Sequence, residues 1–149
     1  MLVDLLERGL DPAQNRLYVI DGGKALAKEI KDTFGNHAVI QRCQVHKKRN
    51  VLSKLPESEQ ANAGLLLSSA YLEFEYDKAL SKLQQIMKKI ETCYPSAAAS
   101  LKEGMEETLT VHRLKLPGLL RQTLSNTNAL ESANSTCAGI IRRVTHFKN

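Results

Sequence analysis

At 149 residues, with 42% hydrophobic and 25% charged side chains, the chain has the size and make-up of one ordinary globular domain with a single core. No apolar run approaches the ~20 residues that a membrane-spanning helix needs. The start, Met1-Leu2-Val3-Asp4-Leu5-Leu6-Glu7-Arg8, lacks the basic region and cleavage site of a secretory signal, which points to the cytoplasm. Three widely spaced cysteines, Cys43, Cys93 and Cys137, argue against a disulfide framework, and each is expected to be a small buried residue. A net charge of +5 is compatible with a nucleic-acid partner without requiring one.

Leu2, Leu5, Leu6 and Leu10 recur near helical spacing before Gly9 and Pro12 end the segment, which predicts an amphipathic helix over residues 2–8. Leu17-Tyr18-Val19-Ile20 is a short β-prone run stopped by Asp21-Gly22-Gly23, the pattern of a buried strand entering a turn. Leu26, Ile30 and Phe34 then recur at intervals of four and predict a helix closed by Gly35-Asn36. The run from Ala38 to Val45 reads as a second strand. Strand, helix, strand with short joints is a βαβ unit, so the two strands should lie parallel in an α/β sheet.

From Asn50 onward the pattern is helical. Leu65, Leu66, Ala70 and Tyr71 suggest one core-facing stripe, and Leu80, Leu83, Met87 and Ile90 another, with Asp77 placed to cap the second helix. Pro95-Ser96 opens a third helix through Leu101 and Met105, Pro117 suits the first turn of a short fourth, and a fifth begins near Asn126 to Asn128. The fold class expected is α/β with a large all-α part. No repeat or flexible linker marks an independent second domain.

Asp21 is a candidate for chemistry because a carboxylate at the C-terminal end of a buried parallel strand lies where open α/β sheets collect ligands. Read alone, Asp21-Gly22-Gly23 is better explained as a turn whose Asp caps the helix from Lys24. Glu131 follows 110 positions later, and Asn128 with Glu131 has the spacing of a capping box. Cys43 and His46 have half the ligand spacing of a tetrahedral zinc site, but no second pair matches, so a local hydrogen bond between them is expected. Arg42, Lys47, Lys48, Arg49 and Lys54 form the sharpest charge cluster, suited either to phosphates or to a solvated helix face. Arg142, Arg143 and Lys148 form a smaller one.

Taken in order, three strings resemble the Mutator-type bacterial insertion-sequence transposases. They are Val19-Ile20-Asp21-Gly22-Gly23-Lys24-Ala25-Leu26, then Gln41-Arg42-Cys43-Gln44-Val45-His46-Lys47-Lys48-Arg49-Asn50-Val51-Leu52, and Ser125-Asn126-Thr127-Asn128-Ala129-Leu130-Glu131-Ser132-Ala133-Asn134. The segments Tyr94 to Leu101 and Glu106 to Thr110 are also similar, so the resemblance covers essentially the whole chain.

This resemblance implies a DDE-class enzyme with a partial ribonuclease-H-like core interrupted by a helical insertion. Residues 1–50 would carry the second catalytic Asp, 51–124 the insertion, and 125–149 the core helix with the catalytic Glu. It implies Asp21 and Glu131 as catalytic residues and ligands of a two-Mg²⁺ site, and Cys43 and His46 as active-site support. DNA contacts would come from Arg42, Lys47, Lys48, Arg49, Arg142 and Arg143. The implied partners are insertion-element ends, target DNA and further copies in a homo-oligomer. The family's first aspartate lies on a strand upstream of residue 1, and Asp4 cannot replace it because it belongs to a helix. The expectation is therefore a truncated core, inactive in strand transfer alone, with an open strand edge. The rival expectation is a non-catalytic module binding DNA or a transposase through Lys47, Lys48 and Arg49.

Overall fold

The structure, a computed structural model, describes residues 2–142, so Arg143 and Lys148 fall outside the described residues. Helix α1 (Leu2–Glu7) buries Leu2. Strands β1 (Arg16–Ile20) and β2 (Ala38–Arg42), joined by helix α2 (Lys24–Phe34), pair in parallel with Leu17 opposite Val39 and Ile20 opposite Arg42. The predicted βαβ unit is present. Its helix ends at Gly35, whose φ of +51° lies in the left-handed region and whose N–H reaches the Lys31 carbonyl. Ala27, Ile30 and Phe34 face Ile20, Ile40 and Leu2, and Tyr18 stacks on Phe34 with ring centroids 5.2 Å apart.

The second strand is shorter than its sequence pattern suggests. It stops at Arg42, and helix α3 (Gln44–Leu52) begins where Val45 was expected to continue the strand. Cys43 is the pivot. Its N–H closes the ladder on the Ile20 carbonyl at 2.7 Å, whereas the Gln44 N–H leaves the sheet for the Ser125 carbonyl at 2.9 Å. Gln44, Lys47, Lys48 and Arg49 are good helix formers, and with that tertiary anchor they override the β preference of Val45.

Helices α4 (Glu57–Leu72), α5 (Tyr76–Glu91) and α6 (Pro95–Lys102) follow. After a 3₁₀ turn at Glu106–Leu109 come α7 (Thr110–Arg113), α8 (Gly118–Leu124) and α9 (Asn128–Ile141). Val51, Leu67, Ala70, Leu83, Leu101 and Leu109 make a second, helical core. The chain is thus mostly helical with one small parallel sheet, and among the described residues that sheet has two strands. No helix among the described residues is long and apolar enough to cross a membrane.

Several sequence expectations are corrected here. On α4 the inward face is Ala63, Leu67 and Ala70, while Leu65 is 73% exposed and Leu66 is exposed too. Asp77 lies in the first turn of α5, after Glu75 at the N-cap, and makes no side-chain cap bond. Cys43 alone of the three cysteines is buried, because Cys93 sits in the joint after α5 and Cys137 on α9, which has no buried residue. The expectation of one core also changes, since the α/β and helical parts bury separate clusters.

Candidate functional site

Parallel strands end on the same edge of their sheet, and Asp21 follows β1 there just as Cys43 follows β2. Asp21 is exposed, and its Oδ1 accepts the Gly23 N–H at 3.0 Å. This bond belongs to the turn and does not cap α2, since the N-cap residue is Gly23 itself, without a side-chain bond. Gly22, with φ of +111°, makes the reversal possible. Asp21 Oδ2 has no hydrogen-bond partner among the described residues.

Because α3 starts at Gln44, His46 falls in its first turn and its Nδ1 lies 3.2 Å from Cys43 Sγ, the local contact expected from their spacing. Thr127, immediately before α9, approaches the same pair. Its Oγ1 stands 3.5 Å from Cys43 Sγ and 3.4 Å from His46 Nδ1, and it donates to Glu131 Oε1. A hydroxyl carries one proton, so at any moment Thr127 donates either to the Glu131 carboxylate, the stronger acceptor, or to the Cys43 sulfur. His46 Nδ1 lies 3.8 Å from the same Glu131 oxygen. Burial acts to raise the Cys43 thiol pKa, but hydrogen bonds to the sulfur, from Thr127 when its hydroxyl turns that way and from His46, outweigh it, and the net shift is downward.

The capping box expected between Asn128 and Glu131 is replaced by this arrangement. Thr127 is the residue before the helix, its carbonyl receives the Glu131 N–H at 2.9 Å, and the Asn128 N–H turns to Asn126 Oδ1 at 3.0 Å. The Glu131 side chain is 50% exposed, and its Oε2 has no protein partner among the described residues. Sequence reasoning passed over Thr127, although a Thr just ahead of a predicted helix is itself a cap signal. Thr127→Val keeps the shape and removes the hydroxyl. We expect a loss of about 1–3 kcal/mol by urea denaturation, largely restored by Thr127→Ser. A loss within a few tenths for Val would show that the hydroxyl holds nothing together.

The basic cluster divides in two. Arg42 is 7% exposed and Lys47 5%, so neither lies on a solvated face. Arg42 Nη1 meets Glu103 Oε1 at 2.7 Å and its Nε meets Glu107 Oε2 at 2.5 Å. The three protons of the Lys47 ammonium go to the carbonyls of Ser100 and Glu103, at 2.9 and 2.6 Å, and to Glu103 Oε2 at 3.1 Å. Lys47 thereby closes the carbonyl end of α6, where a cation is favoured. Cations held this way are not presented to a phosphate. Lys48 is half-buried and donates to Ser68 Oγ at 2.7 Å, whereas Arg49, Lys54 and Arg142 are exposed.

Among the described residues no group of three or more His, Cys, Asp and Glu side chains is placed to hold a metal ion. Asp21 and Glu131 each keep one unengaged oxygen, a donor type that suits Mg²⁺, but they do not complete a donor set.

The chain matches the model of the family described as Transposase, Mutator family, over residues 1–149. It is 30% identical over 149 residues to the transposase for insertion sequence element IST2 of Acidithiobacillus ferrooxidans, covering 100% of this chain and 48% of that protein. Against the transposase for insertion sequence element ISRM5 of Rhizobium meliloti (strain 1021) it is 33% identical over 145 residues, 97% of this chain and 34% of that protein. Against the transposase for insertion sequence element IS256 in transposon Tn4001 of Staphylococcus aureus it is 26% identical over 132 residues, 87% of this chain and 32% of that protein. The chain therefore spans half or less of the length of these curated relatives. With a family model matched from end to end, and with the three motif strings standing at the C-terminal edge of the sheet and the start of α9, this chain belongs to the Mutator family of transposases.

Proposed function

We propose that this chain carries part of the catalytic centre of a DDE-class transposase that cuts insertion-element DNA and joins it to target DNA. The observation supporting this most is the meeting of Cys43 and His46 with Thr127 and Glu131, more than 80 positions away, beside the strand end that carries Asp21. In this reading Asp21 and Glu131 are the second and third acidic ligands of a site that uses Mg²⁺. Cys43, His46 and Thr127 fix the Glu131 carboxylate. The βαβ unit is the part of a ribonuclease-H-like core within residues 1–50, residues 51–124 are the helical insertion, and residues from 125 onward return to the core. Arg49 and Arg142, both exposed, contact DNA phosphates, which position a duplex without reading its sequence.

Two carboxylates are too few to hold the cations that neutralise the charge gathered at a phosphodiester, so this chain alone is expected to bind DNA without cutting it. The test incubates the purified chain and Mg²⁺ with supercoiled plasmid carrying insertion-element ends, alongside fluorescence anisotropy on a labelled duplex. Salt-sensitive binding with intact plasmid is the expected result. Absence of binding would remove the DNA reading, and metal-dependent nicking would remove the claim that the centre is incomplete.

A second reading, a non-catalytic basic module that binds DNA or another transposase, is favoured by the lack of a metal-holding cluster among the described residues. It requires that Asp21→Asn and Glu131→Gln leave both metal binding and DNA binding unchanged.

A further inference from the structure

We infer that the cavity between α3, α4 and α8, about 390 Å³ in volume, holds one unpaired nucleotide of a DNA strand. This rests on the DNA-binding reading above and extends it to a second site. The cavity shares α3 with His46: Gln44, Val45 and Lys48 form one wall, Tyr71 and Leu72 of α4 another, and Arg121 of α8 a third. Ser125 also lines it and is tied to Gln44 by the backbone bond that docks α3 against the end of α8.

Charge identifies the ligand. Lys48 donates to the neutral Ser68 hydroxyl, and Arg121 Nη1 to the carbonyls of Glu73 and Phe74 at 3.0 and 3.1 Å. No carboxylate pairs with either cation among the described residues, in contrast to Arg42 and Lys47. Arg121 also lies over the Phe74 ring, 5.0 Å from its centroid, but like Lys48 it meets no carboxylate among the described residues. Two such cations at one concave site favour an anion, and a guanidinium and an ammonium are the usual donors to phosphate. The rest of the wall is unlike an inorganic-anion site. Val45, Leu72 and the Tyr71 ring offer apolar surface, and Gln122 adds an amide side chain to the same lining. A flat, hydrogen-bonding, weakly polar group beside a phosphate is a nucleotide.

Size decides between strand forms. A cavity at the small end of ordinary ligand sites accepts one nucleotide, whereas a duplex presents its phosphates on a convex surface with a groove ~12 Å wide. Unpaired bases gain from apolar and aromatic walls in a way that stacked, paired bases cannot.

The test is fluorescence anisotropy of the whole chain with two labelled DNAs, one a blunt duplex and the other the same duplex with a short 3′ single-stranded extension. Gly118 lines the cavity, and a Cβ there meets nothing within 4 Å, so Gly118→Leu adds bulk at the cavity wall where the backbone has room for it. Lys48→Gln removes one of the two cations. The extended DNA should bind about tenfold more tightly than the blunt one. That preference should vanish in Gly118→Leu, with blunt-duplex affinity kept, and weaken in Lys48→Gln. Equal affinity for both DNAs, or a preference that survives both substitutions, overturns the subsite while leaving DNA binding intact. Failure to bind either DNA overturns both readings together.

Discussion

Arg42→Met is expected to destabilise the chain by about 2–3 kcal/mol, less than the ~3–5 kcal/mol for breaking a fully buried ion pair, because Glu103 and Glu107 are partly exposed and each keeps a lysine. Arg42 is the hinge pin between the two cores. It ends β2, and its guanidinium reaches Glu103 and Glu107 across the joint that follows α6. The fit is close: a Cβ at Gly104 would lie 2.7 Å from Arg42 Cζ, and Gly104 has φ of +64°, so any side chain there strains the backbone and pushes the guanidinium from its place. Methionine fills the volume but leaves Glu107, which also bonds Lys31, and Glu103, which also bonds Lys47, short of their principal cation.

The pH dependence of the loss is its signature. Burial alone would raise the pKa of Glu103 and Glu107, but hydrogen bonds with Arg42, Lys31 and Lys47 outweigh it and hold both below the usual carboxylate value. A depressed carboxylate contributes stability that is full above its unfolded pKa and is lost as pH falls through the folded one. The gap between wild type and Arg42→Met should therefore be widest near neutrality and narrow below about pH 4.5, the ordinary carboxylate value. Urea denaturation at pH 7 and in the acid range measures it. A gap that does not change between those conditions would mean that the ion pairs are not its source.

Gln41→Leu should cost about 3 kcal/mol, from two or more buried backbone groups left unpaired at 1–3 kcal/mol each. Gln41 is fully buried. Its Nε2 donates to the carbonyls of Arg42 and Thr108, at 2.6 and 2.9 Å, and its Oε1 accepts the Val111 N–H at 3.0 Å. Thr110 adds a bond from its hydroxyl to the Ile40 carbonyl at 2.6 Å. Together these form a polar seam holding the C-terminal end of β2 against the 3₁₀ turn and α7, one residue from Cys43. Leucine matches the size but satisfies none of these groups; the Thr108 carbonyl keeps a bond from Gln44 at 2.9 Å, whereas the Val111 N–H has no substitute. A lower urea midpoint with an unchanged slope is expected. A change under 1 kcal/mol would show that the seam is filled by other donors.

The local parts of this architecture were readable from the sequence. Tyr18-Val19-Ile20 before Asp21-Gly22-Gly23 announces a strand and its turn, and the spacing of Leu26, Ile30 and Phe34 announces α2, because each signal lies within one element. The roles of Arg42 and Lys47 were not, since their partners Glu103 and Glu107 lie more than 50 positions away. Five clustered cations look alike in sequence, and only folding separates the inward pair from Lys48, Arg49 and Lys54. The α3 start was hidden because Val45 favours a strand and the Ser125 carbonyl that draws Gln44 out of the ladder is remote. Two long polar residues, Gln41 and Arg42, at the end of a buried strand did carry a usable hint, because such groups are buried only with partners. Of the candidate site, the Cys43–His46 contact was readable, and Thr127 emerged only when α9 met α3.

Manganese binding, followed by electron paramagnetic resonance of the free ion and used as a stand-in for magnesium, tests most directly whether Asp21 and Glu131 serve one metal. The four proteins needed are wild type, Asp21→Asn, Glu131→Gln and the double variant. If the two carboxylates share an ion, each single substitution weakens binding about as much as both together, because removing either ligand dismantles the same site. Losses that simply add, or an affinity that neither substitution changes, would contradict a shared metal and leave the chain as a DNA-binding module of its family.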